Sequence, residues 1–421
     1  MIVTHIGPPL ARTGGPAGVL LQLKAGLSRT GTGGHIVRLP PVAVPQAAPA
    51  PPLTARMLAP LRHLRRVLFG KPRYYRPDLG AMRQRDGQTA RTLDGVWREA
   101  EAYAAPLLDE AADADLLIAH ELPAAAMALA VRRPHQQVWM VVHPPMPFAL
   151  FHIWCWAVPE QEWRDVLAFP DVQRYVDREL EVWRSVDRVF IATPDALDEL
   201  GRIDRRFLTA GNMVYGLNGA SAPGGSKAES IGALRKRFGL PLDQPIGLFL
   251  GQALPYRAFD RLMAAVELLS DAAAMPGVIA VAGPPKDTVP RHKRLRALGP
   301  VSDVADLLRA VDFFINVNRF NLFDLSIIEA SEAGLPLLLH ATGGNRTFET
   351  LGAGCVMIDS IEPAAIARGI EAMFAMRPDG RRALGRRSRA CYDAHLTVEH
   401  HATRHLSLYD EASITCMTSN S

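Results

Sequence analysis

No run of about 18 uninterrupted apolar residues, the length that spans a bilayer as a helix, occurs in the 421 residues. Nor does the N-terminus pair a basic segment with a long apolar stretch, because residues 1–6 are already a short strand-like run. The expected location is therefore cytoplasmic. Cysteine is scarce: Cys155, Cys355, Cys391 and Cys416 are scattered without CxxC spacing, which argues against a zinc site or a disulfide framework and leaves buried or incidental thiols. No repeat of the solenoid kind is visible. No DxD-type metal site stands out. The net charge of +4 is mild for this size and does not point to nucleic acid.

What is present is the composition of a globular protein, 48% hydrophobic and 21% charged. The length suits two domains of roughly 200 residues each. Charge is unevenly placed. Between Arg56 and Arg98 lie Arg62, Arg65, Arg66, Lys71, Arg73, Arg76, Arg83, Arg85 and Arg91, with Leu64, Val67, Leu68, Phe69, Tyr74 and Tyr75 interleaved. A solvated arginine-rich insertion is one reading. Peripheral contact with an anionic membrane, or reception of an acidic acceptor, is the other.

Short apolar runs alternating with helical periodicity predict an α/β architecture. In the first half, residues 2–6 lead through a Gly- and Pro-rich loop to a helix over 17–27, with Val19, Leu20, Leu23 and Leu27 on one face. A proline-rich stretch over 39–60 reads as a surface connection. Strands follow at 114–119, 137–142 and 187–193, with helices over 122–131, 171–185 and 194–200. The small residues 221–226 are the best linker, so the expected division is 1–220 and 221–395, with 396–421 returning to the first domain. The second domain predicts strands at 246–250, 278–282, 313–317, 336–340 and 355–358, with helices between them. Doubly wound sheets bind ligands beyond the carboxyl ends of their strands, so chemistry is sought in those loops.

Three loops of the second half and one of the first carry suitable residues. Gly251 ends a strand and allows close backbone approach, and Arg257 enters the next helix as a cation suited to a diphosphate, or else as an exposed loop arginine. Asp324 is placed to cap the helix that follows residues 313–317. Glu329 sits among Leu325, Ile327, Ile328 and Ala330, where a carboxylate needs a partner: a ribose diol, or else a neighbouring basic side chain or a solvated helix face. Gly343-Gly344-Asn345 after residues 336–340, and Gly14-Gly15 after the first strand, offer backbone amides to an anion or to sugar hydroxyls. His120 and His143 stand at strand ends, as site or structural histidines.

These pieces, with LRKRFGLP (234–241), LFLGQALPYRAFDRL (248–262), VAGPP (281–285), ALGPVSD (297–303) and DLSIIEASEAGLPLLLHATGGN (324–345), resemble the nucleotide-sugar domain of the retaining GT-B glycosyltransferases of family 4. The resemblance runs from about residue 234 to 374. The first half fits more loosely through TGGPAG (13–18), LLIAHELP (116–123), VVHPP (141–145) and VYGLNGA (214–220), and residues 396–409 resemble the helix that returns to the first domain.

The resemblance implies two Rossmann-like doubly wound domains facing across a cleft, and sugar transfer from a nucleotide-diphosphate donor, UDP- or GDP-linked, to a hydroxyl acceptor. Retention of configuration is implied with it, and no cofactor is expected; with no DxD-type site, metal independence is expected too, the leaving-group charge being met by Arg257, the Gly14-Gly15 backbone and helix N-termini. Glu329 matches the second of two family glutamates, the one that meets the ribose. Asn321 stands at the first, Gln252 replaces a diphosphate-binding arginine, Arg257 replaces the lysine, and Asp324 occupies a position commonly glycine. His143 matches a histidine lining the sugar site, which makes His143, Asn321 and Asp324 the catalytic candidates. Donor contacts are expected at Gly14, Gly15, Gly251, Gln252, Arg257, Val301, Leu322, Phe323, Leu325, Ser326 and Glu329, with His120 and Asn345 nearby. The substitutions at Asn321 and Gln252 keep rival readings open: a nucleotide-sugar-binding partner or scaffold without transferase activity, or an epimerase or phosphorylase on the same fold.

Overall fold

Strands that are apolar on both faces are expected where helices cover a parallel sheet on two sides, and both sheets of this chain are of that kind. The computed structural model describes residues 1–11, 15–43, 86–222, 225, 229–269 and 276–419. β1 (Ile2–Ile6), β2 (Ile36–Arg38), β3 (Leu116–His120), β4 (Gln137–Val141), β5 (Arg188–Ile191) and β6 (Met213–Tyr215) form one six-stranded sheet in the order β2-β1-β3-β4-β5-β6. β7 (Ile246–Leu250), β8 (Val278–Ala282), β9 (Leu295–Gly299), β10 (Phe313–Asn316), β11 (Leu337–His340) and β12 (Cys355–Ile358) form the second, in the order β12-β11-β10-β7-β8-β9. Every neighbouring pair is parallel.

The strand order reverses between β1 and β3 in the first lobe and between β7 and β10 in the second. Loops diverge there, which leaves a crevice at the carboxyl ends of the strands. β2, β6 and β9 are additions to the expected strands, and β6 is only three residues long. β2 is only three residues and partly exposed, and β9 carries Arg296 in its middle, so neither shows a buried apolar run.

The helix Val398–Ser419 leaves the second lobe and packs on the first, and it runs further than the expected 396–409. Tyr409 and Ala412 join Val3, Leu116, Ile118 and Trp139 in one buried cluster. The helix Pro16–Thr30 lies against it at close range: a Cβ built on Gly26 would come within 2.1 Å of the Val398 carbonyl oxygen. Glycine here allows two helix backbones to approach where any side chain would hold them apart.

The lobes also share apolar contacts. Leu254, Phe320 and Leu322, from loops of the second lobe, belong to the main core cluster of the first. Phe320 meets the edges of Trp163 and Trp154 at ring-centroid separations of 5.3 and 6.1 Å, and Phe151 meets Tyr256 at 5.7 Å. Edge-to-face pairs of this kind add about 0.5–1.5 kcal/mol beyond area burial.

Cys155 and Cys391 are buried and Cys355 half-buried; all three are free thiols, held protonated because burial pushes them up to about 12, 11 and 12 respectively. The side chain of Cys416 lies outside the described residues, as do Gly14 and residues 56–85 of the basic segment. No helix among the described residues is long and apolar enough to cross a membrane.

Candidate functional site

The loop after β7 turns sharply at Gly251, whose φ of +153° disfavours a side chain and where a Cβ would press on the guanidinium, 3.1 Å from Arg257 Nη1. Arg257 ends a short 3-10 turn, and Ala258 follows in the left-handed region at φ 51°, a costly conformation for a residue with a Cβ. The turn is pinned from outside. Arg319 reaches Asp260 with two bonds of 2.9 and 2.8 Å, and its amide donates to the Tyr256 carbonyl at 2.7 Å.

Arg257 is not the exposed loop arginine of the alternative reading. Its Nη1 pairs with Asp324 Oδ2 at 3.0 Å, with side-chain exposures of 16% and 19%. Burial alone would weaken its charge, but Asp324 and Tyr256 reverse that and raise its pKa above the ordinary arginine value. Asp324 sits at the N-cap position of the helix Leu325–Glu332 but does not cap it. The carboxylate is already engaged, since Oδ2 also accepts from Asn316 Nδ2 at 3.0 Å and Asn318 Nδ2 at 2.9 Å. Three polar atoms in this cluster, Arg257 Nε, Asn318 Oδ1 and Ser326 Oγ, are buried without a hydrogen-bond partner. Buried polar atoms without a protein partner are open to a hydrogen bond from water or a ligand.

Glu329 lies one helical turn beyond Ser326, on the same face. Among the described residues no basic side chain pairs with it, and the residue is half-buried. Burial, with lesser help from Glu332 and Asp324, pushes it up to about 8. Gln252 is exposed, Val301 and Leu325 are half-buried, and Leu322 and Phe323 are core residues, Phe323 stacked on Phe348 at 4.5 Å. Asn321 is buried and donates to the side chain of Asn345, which in turn donates to the His340 carbonyl at 2.9 Å.

The Gly343-Gly344 pair corrects the expectation of free amides. Gly344 N donates to the Asn321 carbonyl at 3.0 Å, and Gly343 N donates to Glu199 Oε2 at 2.9 Å. Glu199 comes from the helix Pro194–Ile203 of the first lobe and also accepts from Thr342 Oγ1 at 2.7 Å; beside it Asp195 accepts from Thr347 Oγ1 at 2.6 Å. An acidic side chain of one lobe thus fills the nest of the other. Beside this bridge a cavity of about 260 Å³ opens between the lobes, lined among others by Asp195, Arg202, His340, Arg346 and Asp359. Nothing in the local sequence signals Glu199, because its partner is 144 residues away.

In the first lobe Gly15, with φ 73°, starts the helix Pro16–Thr30. His120 ends β3 and is buried, and the residue after it, Glu121, holds φ 85° and ψ 160°, a strained conformation. His143 follows β4 and is half-buried; its Nε2 meets His120 Nδ1 at 2.8 Å, while its Nδ1 has no partner among the described residues. Asp113-Ala114-Asp115 has Asp-x-Asp spacing but lies at the opposite, amino end of β3, with Asp113 paired to Arg38 and Asp115 accepting from the Ile2 amide. No group of three or more His, Cys, Asp or Glu side chains among the described residues is placed to hold a metal.

Burial makes the histidines acid-labile. His5 and His143 are held down to about 3 and His401 to about 4, chiefly by desolvation, and His120 and His405 lie well below the ordinary value of 6.5. Stability from neutral histidines is therefore full above pH 6.5 and is lost as pH falls, at up to about 1.4 kcal/mol per pH unit for each group. Glu179 and Glu329, at about 8, and Glu121, at about 7, oppose this only above their ordinary value of 4.5. The melting temperature is expected to decline gently from pH 6.5 to 4.5 and steeply below; a flat profile from pH 7 to 4 would contradict the burial of these rings.

With this geometry in place, comparison with known proteins is informative. Residues 244–376 match the family Glycosyl transferases group 1. D-inositol 3-phosphate glycosyltransferase of Xylanimonas cellulosilytica is 29% identical over 232 residues, covering 51% of this chain and 54% of that protein. The chain thus spans about half the length of the curated relatives it matches. Among solved structures, sucrose-phosphate synthase from Thermosynechococcus elongatus aligns over 98% of this chain and 99% of its own, with a TM-score of 0.66 at 17% identity. Anabaena Alr3699/HepE in complex with UDP and glucose aligns over 98% and 100%, with a TM-score of 0.62 at 14% identity. At these identities the likeness is one of fold: the chain has the two-sheet GT-B architecture of these neighbours, and residues 244–376 resemble the glycosyl transferases group 1 family.

Proposed function

We propose that this chain transfers a sugar from a UDP- or GDP-linked donor to a hydroxyl acceptor, with retention of configuration and without a metal ion. The observation that carries the reading is the cluster at the mouths of β7 and β10, where Arg257 Nε, Asn318 Oδ1 and Ser326 Oγ are buried without partners beside an unpaired Glu329. A nucleotide diphosphate has the complementary groups: phosphate oxygens for the guanidinium and the Ser326 hydroxyl, and ribose hydroxyls that donate to Glu329. The relatives named as glycosyltransferases and the UDP-bound neighbour support the same ligand class.

In this reading charge developing on the departing phosphate is stabilised by Arg257 and by loop amides. The departing phosphate assists removal of the acceptor proton on the same face, and His143 lines the sugar from the first lobe. The acceptor belongs to the interlobe side; peripheral membrane contact would fall to the basic segment 56–98.

The burial of Asn321 against Asn345 favours one alternative, a chain that holds the nucleotide sugar without transferring it. A panel of UDP- and GDP-sugars with an acceptor extract, read by mass spectrometry, separates the two. Glycosylated product supports transfer. Thermal stabilisation by UDP or GDP without product supports binding alone, and neither response would refute both.

A further inference from the structure

Three histidines from three neighbouring strands stand in a row at the carboxyl edge of the first sheet: His5 on β1, His120 at the end of β3 and His143 after β4. His143 Nε2 meets His120 Nδ1 at 2.8 Å, and His120 Nε2 meets His5 Nδ1 at 2.9 Å. His5 Nε2 meets the Tyr409 hydroxyl at 2.8 Å, and that hydroxyl meets His405 Nδ1 at 3.2 Å. The row thus continues into the returning helix, and every member except His143 is buried.

A neutral imidazole has one N–H and one lone pair, so in such a row each ring dictates the tautomer of the next. Only two arrangements satisfy every link: all protons directed inward, or all directed toward His143. The two contacts of Tyr409 discriminate between them. An O–H donor makes short bonds of about 2.7–2.8 Å while N–H donors prefer about 2.9–3.0 Å. The 2.8 Å contact fits Tyr409 donating to His5, and the 3.2 Å contact fits His405 N–H donating to Tyr409. His5 Nδ1–H then donates to His120, His120 Nδ1–H to His143, and the proton of His143 is left on Nδ1, the nitrogen without a partner among the described residues.

We propose that His143, His120, His5, Tyr409 and His405 form one hydrogen-bonded wire polarised toward the site, and that His120 is the positioning residue that makes His143 present Nδ1–H as a donor to the bound sugar or its leaving phosphate. The proposal rests on the transferase reading for its substrate, but not for its geometry. Burial of the rings in neutral form supports it, since a cationic ring would turn the links on its two sides in opposite directions and the row would lose its single polarity. Bonds in such a chain reinforce one another, so His143 is oriented by groups it never touches.

Two amide substitutions of different reach test this. In His120→Asn the amide nitrogen occupies the place of Nδ1 and can still donate to His143; in His120→Gln the amide reaches the place of Nε2, where its oxygen can accept from His5 Nδ1–H, and leaves His143 unheld. Long-range proton–nitrogen NMR of histidine-labelled protein, with His143→Gln for assignment, reads the tautomer directly. Nδ1–H is expected in wild type and in His120→Asn, and its loss in His120→Gln. With any donor that is transferred, kcat should fall about tenfold or more in His120→Gln and less than about threefold in His120→Asn, while nucleotide-induced thermal stabilisation is unchanged in both. An Nε2–H tautomer in wild type, or equal behaviour of the two variants, would overturn the wire. A wild-type protein that transfers no sugar would overturn the proposed function instead, with the tautomer assay still deciding this inference.

Discussion

Arg257→Ala is expected to lower kcat/KM for sugar transfer by at least about a hundredfold, the range seen when a preorganised donor to a developing oxyanion is removed. Two effects add. The diphosphate loses a guanidinium, and the carboxylate of Asp324, now held only by Asn316 and Asn318, faces the phosphates with its charge uncompensated. This makes the double variant diagnostic. Arg257→Ala with Asp324→Gly removes the stranded anion along with the cation, so it should recover part of the loss, a coupling that a double-mutant cycle measures. Arg257→Lys should lie between, since it keeps the charge but not the planar fork. Near-normal kcat/KM in Arg257→Ala would remove this residue from the donor site.

The second large effect concerns the close approach of two loops in the second lobe. A Cβ on Gly344 would sit 1.6 Å from the Leu322 carbonyl oxygen and 2.6 Å from its carbon, and one on Gly343 would sit 1.9 Å from the Asn321 oxygen. These contacts are with backbone, which cannot rotate away as a side chain can. Gly344→Ala is expected to cost more than about 4 kcal/mol, the range reserved for disrupted cores and backbone clashes. Soluble protein should be lost, or the denaturation midpoint should drop sharply. Gly95→Ala is the control: nothing lies within 4 Å of a Cβ there, and the residue is inside a helix, so stability should hold or rise by about 0.5–1 kcal/mol. Equal behaviour of the two variants would mean the loops are not packed as described.

The glycine pair also shows what a sequence can and cannot convey. Paired glycines after a strand mark a special backbone but not its cause; here the cause is a neighbouring loop and a carboxylate from the other lobe, and no ligand is needed to explain it. Strands β7, β8 and β10 of the second lobe were legible because they are buried apolar runs next to Gly, Pro or Asp. The helix Pro378–His395 escaped because its charged residues leave little apolar periodicity, and Asp86–Glu110 because it contains Pro106. Arg257 and Asp324 were readable as polar residues in loops beyond strand ends, and Glu329 as a carboxylate in an apolar helix. What Asp324 binds was not, since its partners Asn316, Asn318 and Arg257 meet only after β7 and β10 pair. His5 carried no signal at all, because the group that explains it, Tyr409, lies 404 residues away.

That separation bears on how the chain comes to be finished during synthesis. The groove on the first lobe that receives Tyr409 and Ala412 is made by strands translated early, yet its occupant emerges after the whole second lobe. Val3, Ile118 and Trp139 must therefore wait uncovered on the ribosome, and any delay in late translation lengthens the interval in which that face can stick to something else.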